Sequence, residues 1–390
     1  MESLGCKKKR ILILNLPYSG HVNPTLGLTS ELVKRGYEVG YINEIRFKSA
    51  IEKTGAKFIS YKDYPNGISD LKMGFDCYKA AFDTALSIKD NYDIFVYENW
   101  FYYGLRTAEI LDKPCIRLFS NAAFNMNYIN KEIIDKSSIF FHMRYKFVRK
   151  LITRLTAKGV KIKYEDMFAE MARAVPDVNI VYTIKEYQVY SEEFDERFKF
   201  VGPSMRKTKE DNSFKLENLK KPLIYIAFGT MIKNIKFLKK CIKTFGGKDF
   251  IVIISTGNVF DKEKLGKTPD NVHVYSFVPQ CSVLEKASLF ISHGGQNSVN
   301  EAIYSGTPML ILPQGFDCAS NADRVESLKL GMRIKNNITE EKLYMTALDV
   351  INSKEIAEKV IDIKNKMEET NADTDAADIV ENYINSLKDR

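Results

Sequence analysis

The stretch LFISHGGQNSVNEAIYSGTPMLILPQGFDCASNADRV, residues 289–325, reads as strand, turn, helix, strand and loop in direct succession. A continuous apolar run ends at Ser292. His293, Gly294 and Gly295 then form a turn in which the backbone can approach a ligand closely. Asn297 or Ser298 opens a helix whose free N–H groups and dipole favour an anion such as a diphosphate. Glu301, one turn later, stands where it could accept hydrogen bonds from sugar hydroxyls. The run MLILP follows, and Pro313 leads into QGFDC, a second strand-end loop carrying Asp317. Such a βαβ unit belongs to a parallel sheet, and its ligands lie outside the carboxyl ends of the strands. Neither GxGxxG after a strand nor GxxxxGK[ST] occurs, and no GxSxG-like pattern is found. Dinucleotide binding, P-loop chemistry and serine hydrolysis therefore lack support.

The same alternation runs outward from this stretch. In the first half, Arg10–Leu16, Glu38–Ile42, Asp93–Tyr97 and Cys115–Phe119 read as strands, with a helix around Gly104–Leu111. Asn23 reads as a cap, with Pro24 at the first helical position, Leu26, Leu28 and Leu32 inside, and Gly36 just past the end. Residues 204–221 are polar and charged and read as a linker or long loop. After Pro222 the pattern restarts with LIYIAFG, DFIVIIS, VHVYSFV, SLFIS and MLILP. The expected architecture is α/β, with two tandem doubly wound parallel-sheet domains and a binding site in the cleft between them. The expected boundaries are 1–203, a linker at 204–221, a second domain at 222–370, and a C-terminal helix at 371–390 packing back on the first domain.

His21 lies beyond the first strand, in YSGHVNP, and is one of only four histidines. It stands as a candidate base. A base needs an orienting acid, and VYENW supplies Glu98 at the end of another strand of the same domain.

The bulk numbers narrow the classes. The 390 residues are 45% apolar and 28% charged, with a formal net charge of +8 that favours anionic ligands only weakly. Six cysteines form no CxxC and no metal-like pairing with histidine, which reads as reduced thiols in a cytoplasmic protein. No early segment has the flanks of a signal peptide, and no apolar run is long enough to span a bilayer. Nothing points to nucleic acid.

These residues resemble the UDP-glycosyltransferase superfamily, family 1 of the glycosyltransferases, and within it the bacterial macrolide glycosyltransferases. GHVNPTLGLTSELVKRGYEV is similar to the family's N-terminal start. The stretch from FVPQCSVLEKAS through VESLKLG is similar to its donor-binding signature. Between about 120 and 200 the likeness is weak, as in an acceptor-binding region. The resemblance implies the GT-B fold, two Rossmann-like domains facing across a cleft. It also implies inverting, metal-independent transfer of a hexose, with UDP-glucose as co-substrate and no cofactor. The acceptor would be a hydroxyl of a small hydrophobic molecule such as a macrolide or phenol.

It implies residue roles too. Phe277 would stack on uracil, the Val278 backbone would meet the base edge, and Gln280 would lie against base or ribose. Glu301 would hold the ribose hydroxyls. His293, Gly295, Asn297, Ser298 and Thr230 would hold the diphosphate, and Asp317 the transferred sugar. His21 would be the general base and Glu98 its orienting acid.

Three positions depart from the family pattern. Glu98 replaces the usual Asp, Cys318 replaces the glutamine that follows Asp317, and Gln296 replaces the tryptophan of plant members. Cys318 bears on the donor sugar, because a thiol substitutes weakly for an amide.

Other readings stay open. Residues 139–155 are basic and amphipathic, and could make peripheral membrane contact if the chain is a lipid glycosyltransferase. Phe140, Phe147, Ile152 and Leu155 would then face lipid while Arg144, Arg149, Lys150 and Arg154 face headgroups. Otherwise they form an ordinary helix lining the acceptor pocket. A non-catalytic nucleotide-sugar-binding homologue is the third reading. The aromatics Trp100, Phe101, Tyr102, Phe124, Tyr128, Phe140 and Phe141 either line an acceptor pocket or belong to the core.

Overall fold

The computed structural model describes residues 8–64, 70–136, 141–205, 221–229, 233–315 and 317–387. The chain divides into two compact units. The first comprises Met1–Lys131, His142–Met205 and Thr370–Arg390; the second comprises Glu132–Phe141 and Arg206–Glu369. Of the expected linker, residues 206–220 lie outside the described residues. One boundary differs from the sequence reading, because Glu132–Phe141 groups with the second unit. There Glu132 accepts a hydrogen bond from Ser320 Oγ at 2.7 Å, and Lys136 pairs with Glu132 at 2.6 Å and Asp323 at 2.8 Å. Side-chain pairs between segments this far apart in sequence leave no trace in local periodicity.

The first unit is built on β1 (Arg10–Leu14), β2 (Glu38–Asn43), β3 (Lys57–Ser60), β4 (Ile94–Glu98), β5 (Cys115–Phe119), β6 (Val178–Val181) and β7 (Phe198–Phe200). Their order is β3-β2-β1-β4-β5-β6-β7, all pairs parallel. The second unit holds β8 (Leu223–Ala227), β9 (Ile251–Ser255), β10 (Val272–Tyr275), β11 (Leu289–Ser292), β12 (Met309–Ile311) and β13 (Gly331–Arg333). Their order is β10-β9-β8-β11-β12-β13, again parallel throughout. Every residue of β4, β5, β8 and β11 is buried, which is why these strands read as unbroken apolar runs. Strand order reverses between β1 and β4, and again between β8 and β11. In a doubly wound sheet the ligand crevice opens at such a reversal.

The first helix, Ser19–Lys34, starts earlier than Asn23. The N–H groups of His21 and Val22 both bond the Tyr18 carbonyl at 2.9 Å, so winding begins one turn sooner. Pro24 lies inside the helix near its start, where it forgoes a single backbone bond. At the far end Gly36 takes a left-handed φ of 84°, and the N–H of Tyr37 returns to the Leu32 carbonyl. That closes a Schellman turn.

The helix Ala372–Ser386 completes the core of the first unit. Ala376, Ala377, Val380 and Ile384 are buried in the same cluster as Ile11, Val22, Leu28 and Leu32. Arg35 bonds Asp378 at 2.6 Å and Glu381 at 3.2 Å, and the Tyr37 hydroxyl donates to Glu381 at 3.0 Å. Truncating a buried isoleucine costs about 2–5 kcal/mol, from lost transfer energy and the cavity left behind. Ile384→Ala should therefore lower the unfolding free energy of the first unit, read from its urea transition, by that amount. A change below about 0.5 kcal/mol, typical of an exposed site, would contradict this packing.

Candidate active site

In the first unit β1 hands the chain through the buried Asn15 to the opening turn of the Ser19–Lys34 helix. His21 thus stands inside that turn rather than ahead of it. Its backbone is fixed from below, because Asn15 Nδ2 donates to the His21 carbonyl at 2.8 Å. Its ring lies between Tyr18 and Trp100, edge-on to both, at centroid distances of 5.7 and 5.9 Å.

Glu98 closes β4 and is buried. Its Oε2 accepts from the Trp100 N–H at 2.9 Å, and its Oε1 lies 3.1 Å from Ser120 Oγ. Oε1 is also 3.2 Å from His21 Nδ1. That approach has the distance of a hydrogen bond without its alignment, since Nδ1 has no properly directed partner among the described residues. The extra methylene of glutamate is absorbed by folding Oε2 back onto the backbone two residues ahead. With Nδ1 against the carboxyl group, Nε2 is the nitrogen left to take a proton.

In the second unit β11 ends in the quoted turn. Gly294 has φ of 89°, and a Cβ there would lie 2.7 Å from Ile311 Cγ2, so both conformation and space demand glycine. Gly295 is the N-cap of the helix Gln296–Ser305, which begins one residue before the expected Asn297. Glycine caps without a side chain, so no side-chain oxygen competes for the first N–H groups. Asn321, buried, donates from Nδ2 to the Gly294 carbonyl at 2.8 Å. Because a trans peptide points its C=O and N–H in opposite directions, this bond also fixes where the Gly295 N–H is aimed.

His293 packs between two glycines. A Cβ on Gly229 would lie 3.1 Å from its Cε1, and one on Gly295 would lie 2.6 Å from its Nε2. Burial pushes the imidazole down to about 4, so it is neutral near pH 7.

Beside this turn, Gln280 ties together three side chains. Its Nε2 donates to Glu301 Oε2 at 2.5 Å and lies 3.3 Å from Ser298 Oγ, while Tyr225 OH donates to its Oε1 at 2.9 Å. Phe277 follows β10 with 59% of its surface exposed, a flat apolar ring left open to stacking. Val278, the next residue, is partly exposed. Asp317 occupies the N-cap position of the helix Cys318–Ser327. Cys318 is buried under the glycine turn, its Cβ 3.6 Å from where a Gly294 Cβ would be. Thr230 lies outside the described residues.

Thus His21 and Glu98 are brought together in the first unit, and Gln280, Ser298 and Glu301 in the second. Phe101, Tyr102, Phe124 and Tyr128 are buried core residues, and Trp100 is in ring contact with His21. Phe140 and the side chain of Phe141 lie outside the described residues. Asn15, Ser120, Tyr225 and Asn321 were not singled out by the sequence. Asn321 sits one helical turn after Cys318, on a face that the buried Ala322 and Val325 share, and a polar residue on such a face is the available signal. Among the described residues no group of three or more His, Cys, Asp or Glu side chains could hold a metal ion.

Residues 241–384 match the family model described as erythromycin biosynthesis protein CIII-like, C-terminal domain. The chain is 31% identical over 395 residues to the NDP-glycosyltransferase YjiC of Bacillus subtilis (strain 168), covering 97% of this chain and 98% of that one. It is 24% identical over 401 residues to the oleandomycin glycosyltransferase of Streptomyces antibioticus, covering 97% and 92%. The crystal structure of CalG4, the calicheamicin glycosyltransferase, superposes with a TM-score of 0.80 at 24% identity, covering 97% of this chain and 99% of that one. Two parallel-sheet units of this topology are the tandem Rossmann-like domains of the GT-B fold. The chain belongs to the UDP-glycosyltransferase superfamily, family 1 of the glycosyltransferases, and is a glycosyltransferase.

The neutral state of His293 has a consequence for stability. An unfolded chain takes up a proton near the ordinary histidine value of about 6.5, whereas the folded chain resists until about 4. Between those values the unfolded state binds more protons. This contribution is therefore complete above about pH 6.5 and is lost as pH falls toward about 4. Urea midpoints at pH 7.5 and 4.5 should drop more in the parent than in His293→Gln. Equal drops would contradict the burial assigned to this ring.

Proposed function

We propose that the enzyme transfers a hexose, with inversion and without a metal ion, from a nucleotide-diphosphate sugar to a hydroxyl of a small hydrophobic acceptor. UDP-glucose is the proposed donor, and a macrolide or phenolic compound the proposed acceptor. The observation that carries this reading is His21 Nδ1 at 3.2 Å from a buried Glu98 carboxyl oxygen. In this mechanism the acceptor hydroxyl gives its proton to His21 Nε2 as its oxygen attacks the anomeric carbon. Glu98 holds the ring in the tautomer that leaves Nε2 unprotonated and stabilises the imidazolium that forms. The bond to the diphosphate breaks on the opposite face, which inverts the configuration.

The leaving diphosphate gains charge as that bond breaks. The N-terminus of the Gln296–Ser305 helix, with Gly295, Asn297, Ser298 and His293, is the proposed place where that charge is offset, together with Thr230. Helix dipole and N–H donors supply this without a cation. Phe277 would stack on the base and the Val278 backbone would meet its edge. The Gln280–Glu301 pair would receive the ribose hydroxyls. Asp317 would bond the sugar, and Cys318, buried beneath the turn, would contribute packing rather than a polar wall. Relatives named for NDP- and UDP-sugars and for macrolide acceptors support the donor and acceptor classes.

His21→Ala should lower turnover about 10²–10⁴-fold, the usual worth of a general base. Calorimetric UDP affinity should stay near that of the parent. Glu98→Asp should retain much of the activity if the backbone can close one methylene's distance, and Glu98→Ala should not. Near-parental turnover in His21→Ala, or an axial glycoside from an axial donor by NMR, would overturn the mechanism.

A further inference from the structure

The helix Lys146–Ala157 in the first unit turns polar groups inward, beside the buried Ala157 and a half-buried Ile152 that is therefore not part of the exposed face expected from the sequence. Thr153 and Thr156 are buried, Thr156 Oγ1 lies 2.7 Å from Tyr102 OH, and Arg149 Nε donates to Asp166 at 2.7 Å. Its outward side is apolar. Phe147, Leu151 and Leu155 follow one another at four-residue spacing with 70%, 56% and 48% of their surface exposed, and Tyr145 is exposed just before them. Lys146, Lys150 and Arg154, also exposed, repeat at the same spacing one position away and form a parallel cationic stripe.

Residues 141–164 hold eight Lys and Arg and no Asp or Glu. The other fifty basic residues match the chain's fifty acidic ones, so the net charge of +8 resides in this segment. Water does not favour such a face, and an exposed apolar stripe with a basic margin marks an interaction surface. A second copy meeting it through a twofold axis would bring two cationic stripes together, which disfavours self-association. A small acceptor has no use for a row of cations. An anionic lipid surface satisfies both stripes, with Phe147, Leu151 and Leu155 in the acyl boundary and the lysine and arginine heads at the phosphates.

We propose that this helix is a peripheral docking surface for anionic phospholipid membranes. No helix among the described residues is long and apolar enough to cross a bilayer, and none is needed.

The test is co-sedimentation of the full chain with phosphatidylcholine vesicles, with and without phosphatidylglycerol. Binding should require phosphatidylglycerol and weaken as salt is raised. Each basic side chain near an anionic surface is worth about fivefold in partitioning, so Lys150→Glu with Arg154→Glu should lower it by at least about 25-fold. Phe147→Ser with Leu151→Ser should lower it by about tenfold or more. Both substituted pairs are exposed, so circular dichroism and UDP affinity should match the parent. Three results would overturn the proposal: no sedimentation with phosphatidylglycerol vesicles, binding that neither pair alters, or a concentration-dependent dimer that Phe147→Ser with Leu151→Ser abolishes.

Discussion

Strand order in a doubly wound parallel sheet has to reverse somewhere, and the carboxyl ends at the reversal are where side chains can meet a ligand. In the first unit the reversal lies between β1 and β4. His21 follows the first of these strands and Glu98 ends the second. In the second unit it lies between β8 and β11, which lead into Phe228-Gly229 and His293. The candidate chemistry of both units therefore depends on one topological constraint, imposed by buried apolar strands that themselves perform no chemistry.

Magnitudes suggest how the dyad is held. A buried acceptor left without a donor costs about 1–3 kcal/mol, whereas a hydrogen bond already present in water adds only about 1 kcal/mol net. Glu98 has the Trp100 N–H and the Ser120 hydroxyl as partners before His21 is considered. Its position is set by the scaffold, and His21 is then oriented against a fixed carboxyl group. The glycine turn of the second unit follows the same pattern. Asn321 holds the Gly294 carbonyl from behind, which fixes the direction of the Gly295 N–H at the start of the following helix. In both places a buried polar group that would touch no substrate spends its hydrogen bonds on the backbone or side chain that would.

Local patterns carried much of the fold. The apolar runs at β1, β4, β5, β8 and β11 are read directly because their strands are covered on both faces. The strands β3, β6, β7 and β13 are three or four residues long, and a fragment such as GMR at β13 has no period to detect. The start of the first helix was misplaced because Asn23-Pro24 imitates a cap and the earlier turn at Tyr18 has no such signature. Glu98 is visible because it ends an apolar run, and His21 because it lies in the turn that follows one. Ser120, Tyr225 and Asn321 were not, because their partners lie 22 or more residues away and meet them only in the folded sheet or across helices. The Lys146–Ala157 helix shows the limit of periodicity most plainly. Its amphipathic pattern is legible, but which face turns inward depends on Tyr102 and Asp166, supplied from elsewhere.

The central claim is that a buried carboxyl group dictates the tautomer of His21. With only four histidines in the chain, side-chain nitrogen NMR on protein labelled at histidine can resolve it directly. Neutral His21 should carry its proton on Nδ1, facing Glu98, with Nε2 bare. In Glu98→Ala that preference should collapse to the mixture of tautomers seen in free imidazole. A parent protein whose His21 is protonated on Nε2, or a Glu98→Ala variant with an unchanged His21 spectrum, would contradict it.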